Sequence, residues 1–497
     1  MNELFLFLVV VLTFYGWLAT LSNEKPTAKG TNRTYCPQPF DNKPEPICDR
    51  HHNGNGQGSF TPTENSQHQL QEPITQPREL VRATNGKAPD SSPSVSTLSP
   101  ASARAKPIAS DTIELPSGET IPLQTLPPKQ KTEFDKTIIN EALHSSRVAV
   151  GVKIKEFIDK KRNSEGAYDP LYDMLLDYPF RTGKMLRPTM CISVARAIGG
   201  MGQSAVTTAA ALELYHNAFL IHDDIEDGSE ARRGKDTLHQ MIGIPRAINV
   251  GDATNVLAVG LLLENLSLLG VTKTLNVLQE IELMAQQSVE GQAMELDWVA
   301  SNSSNLRDRD YFKMCVKKTC WYSFMTPCRI GAIVGNPRVK ASELVQPLAM
   351  LSRFGMVLGV AFQIQDDLLN LQGDLKLYGK EIGGDIYEGK RTLMLNHAIA
   401  HSPPKYSQQI LDILALPREQ KTPEQVAFIY QQMQDCGSIE HGWNIARNLA
   451  NQSIEILDSM DFLQSETPLR PGEEGLSAVQ DRRFLKELID YVIYRNV

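Results

Sequence analysis

The 497-residue sequence is poor in the features that define several large protein classes. It has seven cysteines, at positions 36, 48, 191, 315, 320, 328 and 436, and no CxxC pair. That excludes a dense disulfide scaffold and a zinc-finger type of site, so a reducing compartment is the default for most of the chain. Only Cys36 and Cys48 fall where a bridge is an option, and only if that region is extracytoplasmic. A basic surplus is missing too: 58 acidic residues outnumber 50 basic ones, and the net charge of −8 offers no field for nucleic acid. Strand-type alternation is not visible, which argues against a β-rich fold. Apolar residues are scarce from Ser22 to about Pro128, where HHNGNGQGSF and SSPSVSTLSPASA are typical. Such a stretch buries too little to offset its ordering entropy, and residues 23–130 are expected to form a disordered linker.

The N-terminus is the exception to the shortage of long apolar runs. Leu4 to Leu21, LFLFLVVVLTFYGWLATL, carries no charge and reaches the lower limit of a membrane span, roughly 17–25 residues. No Lys or Arg precedes it, whereas Lys25, Lys29 and Arg33 follow. This asymmetry favours residues 1–22 as an anchor with the remainder of the chain in the cytosol. A signal peptide, with a lumenal or secreted protein, is the alternative. From Thr132 onward apolar residues recur at helical spacing, so 131–497 reads as one all-α domain.

Within that domain Leu212 to Gly234, LELYHNAFLIHDDIEDGSEARRG, joins an apolar helical run to four carboxylates: Asp223, Asp224, Glu226 and Asp227. Asp223 and Asp227 share a helix face, where like charges cost about 0.2–0.5 kcal/mol. Gly228 marks a helix end, whose dipole repels each nearby anion by a further ~0.3–1 kcal/mol. Something cationic has to compensate. Mg²⁺ suits the position, since it takes one or two carboxylates and fills its shell with water and phosphate oxygens. Arg232 and Arg233 would hold the same phosphates. An isolated DDxxD is more often a solvated acidic turn, but FQIQDDLLN repeats the pattern with Asp366 and Asp367 after a second apolar helix.

Further motifs complete an ordered set. GKMLRP spans Gly183 to Pro188, GQAMELDW spans Gly291 to Trp298, Lys318 precedes Thr319, and GKEIGGDIYEGKRT runs from Gly379 to Thr392. From Thr132 to Val497 the set resembles the trans-isoprenyl diphosphate synthases, or polyprenyl synthetases, and most of all the geranylgeranyl diphosphate synthases. The resemblance implies an isoprenoid synthase-type helical bundle around a central cavity, usually homodimeric. It implies that Lys184 and Arg187, helped by His216 and Arg233, hold the diphosphate of isopentenyl diphosphate. The other substrate would be an allylic diphosphate (dimethylallyl, geranyl or farnesyl) bridged through Mg²⁺ to Asp223, Asp224, Asp227, Asp366 and Asp367. Arg232, Lys318, Thr319, Gln363 and Lys380 would contact its oxygens, Lys390 would close over it, and Lys318 and Lys380 with the aspartates would drive ionisation. Asn370 stands where many members carry a third aspartate, so Asp374 is a candidate substitute.

Product length is expected to depend on the helix below Asp223. Phe219 and Tyr215 would stop a growing chain early, whereas Ala218 would admit another five-carbon unit. The reading is geranylgeranyl first and farnesyl second. A class I terpene cyclase and a non-catalytic synthase subunit are the alternatives; a cyclase has no use for the second phosphate site at Lys184, Arg187 and Arg233.

Overall fold

The computed structural model describes residues 112–124, 135–181, 183–336, 341–373, 382–463 and 478–494. The anchor expected at 1–22 lies outside them. Its first described element corrects the expected linker. Strand β1 (Thr112–Glu114) pairs antiparallel with β2 (Thr120–Pro122), and Ile113, Leu115 and Ile121 are buried in the core. Arg353 clamps Glu119 bidentately, and the Asn448 amide exchanges hydrogen bonds with the Gln124 backbone. The alternation in TIE and TIP spans three residues each, too short to stand out against Pro- and Ser-rich surroundings.

The rest is helical apart from a second two-stranded hairpin. Helix α1 (Lys136–Arg162) starts where the Asp135 carboxylate accepts from the Thr137 amide, and it ends on Lys160, Lys161 and Arg162, cations suited to that end of the dipole. Helix α2 (Leu186–Gly199) leads to α3 (Val206–Glu226), in which every residue from Val206 to Ala218 is buried, as expected of a helix apolar on nearly all sides. A Schellman motif closes α3. Gly228 takes φ +64°, the Ser229 N–H reaches the Asp224 carbonyl at 3.0 Å, and the Gly228 N–H reaches that of Ile225 at 3.3 Å. Strands β3 (Ala231–Arg232) and β4 (Lys235–Asp236) then turn through Arg233 and Gly234, both at positive φ as a two-residue type I′ turn requires.

Helices α4 (Ile244–Leu263), α5 (Val271–Ala300) and α6 (Asp308–Cys315) follow, and α6 runs into a π-helical segment, Val316–Met325. Beyond it come α7 (Thr326–Gly335), α8 (Ala341–Gln372), α9 (Leu393–His401), α10 (Ser438–Asp458) and α11 (Ala478–Tyr494). Two glycines let neighbouring helices approach the π-helical segment. A Cβ on Gly291 of α5 would overlap the Lys318 backbone nitrogen, and one on Gly359 of α8 would lie 2.6 Å from the Cys320 sulfur. Arg196 ties α2 to α11 through a bidentate buried pair with Asp481 at 2.6 and 2.8 Å.

Away from the cavity, α9 and α10 meet through three histidines. His397 stacks on His401 and on His441 at ring distances of 3.9 and 4.3 Å, and His441 pairs with Asp308 at 2.8 Å. Burial, with like charge from His441 and His401, pushes His397 down to about 4 from the ordinary 6.5. The unfolded chain therefore binds more protons between those values, and this contribution to stability, full above pH 6.5, is lost as pH falls toward 4. Melting temperature is expected to drop between pH 7 and pH 5, and His397→Gln is expected to flatten that drop; an unchanged slope in a calorimetric pH series would contradict the assignment.

Candidate active site

The helix ends converge on one cavity of about 970 Å³. Its acidic end is built by α3, α5, α8 and the π-helical segment. Asp223 lines the wall, 3.2 Å from the Lys318 ammonium and 3.6 Å from Arg232. Lys318 also pairs with Glu295, so one cation is shared between a motif aspartate and a glutamate. Burial alone would pull this ammonium down, but Asp223, Glu295 and Asp227 together push it above its ordinary value. A second lysine repeats the arrangement: Lys390 donates to Asp227 at 2.6 Å and pairs with Glu388 at 2.8 Å.

From α8, Asp366 and Asp367 both reach the cavity. Asp367 accepts from the Tyr311 hydroxyl at 2.7 Å and from the Gln363 amide at 2.8 Å, while Gln363 in turn accepts from Thr319 at 2.8 Å. Burial pushes Asp367 up to about 7, with Asp366 and Glu295 adding to the effect. Asp227 is likewise pushed up to about 7 by burial and by Asp223, against the opposing pull of Lys390. At this end Asp223, Asp227, Asp366, Asp367, Glu295 and Glu388 outnumber the cations Lys318, Lys390 and Arg232.

The basic end lies under α2 and the β3–β4 turn. Lys184, Arg187, His216 and Arg233 all line the cavity. Arg187 donates to Ser323 at 2.6 Å, meets His216 Nε2 at 3.1 Å and lies 4.5 Å from the Tyr322 ring centroid. Burial and the charges of Arg187 and Arg233 push His216 well below its ordinary value, so it is neutral and Nε2 accepts. Met185 and Arg233 sit at φ +56° and +55°, a backbone region unusual for such residues. The Arg233 guanidinium packs against Gly183, where a Cβ would be 2.9 Å away, and Arg147 holds the Gly183 carbonyl.

Several expected site residues are placed differently. Asp224 turns away from the cavity: it is fully buried and takes both the Arg232 guanidinium, at 2.7 and 2.8 Å, and the Tyr178 hydroxyl, at 2.6 Å. It therefore orients Arg232 instead of facing a metal. One helix step of about 100° separates it from Asp223, enough to put the two carboxylates on different faces. Phe219 lines the cavity, but Tyr215 stands behind it at 6.4 Å and Ala218 is fully buried off the wall. Asn370 is buried and accepts from the Asp385 amide at 3.1 Å, which sets Asp385 into the cavity lining. Lys380 and Asp374 lie outside the described residues. Sequence reasoning missed Tyr178, Glu213, Glu295, Asp385 and Tyr322. Glu295 and Asp385 stand inside motifs that were recognised, whereas Tyr178 and Tyr322 carry no local signal.

Among the described residues no three carboxylate, histidine or cysteine side chains converge closely enough to hold an ion alone. What the cavity offers is hard oxygen donors, Asp223, Asp366 and Asp367 on its walls with Asp227 beside them, where carboxylates outnumber the cations Lys318, Lys390 and Arg232. That donor set fits Mg²⁺, which keeps water and phosphate in its shell and needs only one or two carboxylates.

Substitution separates the two roles of the adjacent aspartates. Asp223→Asn is expected to weaken Mn²⁺ binding in the presence of inorganic diphosphate by about tenfold, a loss of ~1.4 kcal/mol. Asp224→Asn is expected to leave it within about threefold by the same scale, while weakening diphosphate affinity through Arg232. Electron paramagnetic resonance titration of the free ion reads both, and equal losses in the two variants would place Asp224 at the metal.

The sequence pattern of the polyprenyl synthetase family matches residues 169–433. The geranylgeranyl pyrophosphate synthase of Geoglobus acetivorans is 30% identical over 365 residues, 72% of this chain and 100% of that protein. The octaprenyl diphosphate synthase of Escherichia coli strain K12 is 31% identical over 302 residues, 61% of this chain and 86% of that one. Among solved structures, geranylgeranyl pyrophosphate synthetase from Pyrococcus horikoshii Ot3 is similar at a TM-score of 0.58 and 28% identity, covering 72% of this chain and 99% of that one. Polyprenyl synthase from Caulobacter crescentus CB15, complexed with calcium and isoprenyl diphosphate, is similar at 0.60 and 25% identity, covering 74% and 100%. The helical bundle is the isoprenoid synthase fold, and the chain belongs to the polyprenyl synthetase family, the prenyltransferases that make isoprenyl diphosphates.

Proposed function

We propose that this protein condenses isopentenyl diphosphate with an allylic diphosphate to make geranylgeranyl diphosphate, with farnesyl diphosphate as the second choice. The observation that carries the reading is that one cavity has both an acidic end and a separate cluster of cations, Lys184, Arg187 and Arg233. A terpene cyclase would need only the first. Family membership makes the protein a short- or medium-chain trans-prenyl diphosphate synthase; geranylgeranyl and octaprenyl synthases are about equally similar to it, so the product length rests on the cavity wall.

The side chains divide the work. Mg²⁺ held by Asp223, Asp227, Asp366 and Asp367 would supply charge that stabilises the departing diphosphate. Arg232, oriented by Asp224 and Tyr178, and Lys318, shared by Asp223 and Glu295, aim donors at the same oxygens. Lys390, paired with Asp227 and Glu388, would add a third donor. Phe219, Leu220, Tyr322 and Phe362 line the space beyond, exclude water from an allylic cation and leave the isopentenyl double bond as the nearest nucleophile. Arg187, Arg233 and Lys184 fix the isopentenyl diphosphate by its head group, with the neutral His216 bracing Arg187.

Two further features belong to this reading. Ile248, Val256, Val259 and Leu263 on α4, with Leu275 on α5, are all exposed, and apolar exposure of that extent is the kind that a second copy of the chain covers. Leu4 to Leu21 would tether the enzyme to a membrane with the catalytic domain in the cytosol.

Incubation with Mg²⁺, isopentenyl diphosphate and dimethylallyl, geranyl or farnesyl diphosphate is expected to give a C20 product by mass spectrometry from each starter. Turnover of an allylic diphosphate alone would point to a cyclase. Phe219→Ala is expected to lengthen the product by at least one five-carbon unit; unchanged length would mean that another wall sets it. Sedimentation is expected to give twice the chain mass, and Val256→Glu together with Val259→Glu to give the monomer, whereas a monomeric wild type would refute the dimer.

A further inference from the structure

One carboxylate at the basic end has no part in the chemistry above. Glu213, on α3, is only 2% exposed and yet lines the cavity. The Asn217 amide donates to its Oε1 at 3.2 Å. Around it stand guanidiniums from three other elements: Arg147 of α1, Arg187 of α2 and Arg233 of the β3–β4 turn. On its own helix His216 follows one turn later, with Nε2 against Arg187 and Nδ1 buried without a partner. Lys184 lines the same space, with its ammonium 5.6 Å from the Tyr491 ring centroid.

The arrangement is a counter-ion with replaceable work. Like charges around one cavity end repel one another; burial pulls Arg233 below its ordinary value, Glu213 opposes that, and Arg232 and Arg187 reinforce it. In the empty cavity an ionised Glu213 holds the cluster together. A diphosphate brings several negative charges to the same guanidiniums, and the carboxylate then becomes surplus. It is too buried to be rescued by water, and burial already pushes its proton affinity up against the pull of the arginines.

We infer that Glu213 is the counter-ion displaced by the second diphosphate: ionised while the basic end is empty, and protonated as the head group arrives. It is a positioning residue for Arg187 and Arg233, and it makes affinity at this end depend on ligand charge. A monophosphate, with less charge to offer, would not drive the same proton uptake. The inference rests on reading the basic end as the isopentenyl diphosphate site.

The test is calorimetric titration of the metal-free full chain with isopentenyl diphosphate, in two buffers of different ionisation enthalpy at about pH 8. A chelator keeps the acidic end unloaded, and the ligand is fully ionised two units above a phosphate's second ionisation near pH ~6. Wild type is expected to take up about one proton more per bound ligand than Glu213→Gln, the comparison cancelling protons taken by His216 or lost by the ligand. Over the same range the wild-type Kd is expected to rise about tenfold per pH unit, a readout that needs no variant to fold. Binding with equal proton counts and a flat Kd would overturn the inference alone. Absence of metal-free binding in either protein would overturn the second-site reading, and this inference with it.

Discussion

The site depends on carboxylates being held next to cations inside a hollow that water cannot fully reach. Removing an ion from water costs several kcal/mol, while a pair ~4 Å apart recovers about 4 kcal/mol at an effective dielectric of ~20. The two terms are close, so geometry decides. Lys318 reaches Asp223 and Glu295 together, and Lys390 reaches Asp227 and Glu388 together. Each lysine thus keeps a glutamate partner when its aspartate turns to another cation. Without those glutamates the lysines would have to choose between the aspartates and an incoming phosphate, and Asp223 and Asp227 would be harder to free.

Backbone geometry supplies the remaining placement. The turn widened by the π-helical segment brings Lys318, Thr319 and Tyr322 to one cavity, beside α3, α8 and α2, and sets Ser323 against the Arg187 guanidinium. A π-helix is rarely the stable choice for a sequence and survives where tertiary contacts enforce it. Here α5 and α8 do so, pressed close through Gly291 and Gly359. The basic end is fixed by strain of another kind. Met185 and Arg233 both hold positive φ, at a cost of order 1–3 kcal/mol each, and they aim the flanking Arg187 and the Arg233 guanidinium into the cavity.

Much of this was legible from the chain. The helix carrying Asp223, its end at Gly228 and the second helix carrying Asp366 follow from periodicity and caps, and the cations at 184, 187, 232, 233, 318 and 390, which all line the cavity, from the family resemblance. What escaped had no local signature. Which of two adjacent aspartates faces the cavity depends on helix phase relative to the packed core, and Tyr178, 46 residues from Asp224, settles it. Asn370 reads in sequence as a weakened metal ligand; in the structure its amide is spent on the Asp385 backbone. The β1–β2 hairpin escaped because three apolar side chains, Ile113, Leu115 and Ile121, are enough to dock it once a core exists, and too few to alter the composition of its segment.

The two ends of the cavity are opposite in charge, and in the proposed reaction that difference would give the transfer its direction. Cations alone can bind a diphosphate in the ground state, but they do so with little extra gain when a bond to it breaks. An end with surplus carboxylate must import divalent charge, which concentrates on the oxygens that become more negative as the C–O bond ionises. Asp223, Asp227, Asp366, Asp367, Glu295 and Glu388 outnumber Lys318, Lys390 and Arg232 at the acidic end, whereas Lys184, Arg187 and Arg233 outnumber Glu213 at the other. In the proposed reaction the diphosphate that departs would therefore sit at the acidic end and the one retained by the product at the basic end. In that arrangement the carbon chain would grow into the apolar space that Phe219 and Leu220 line.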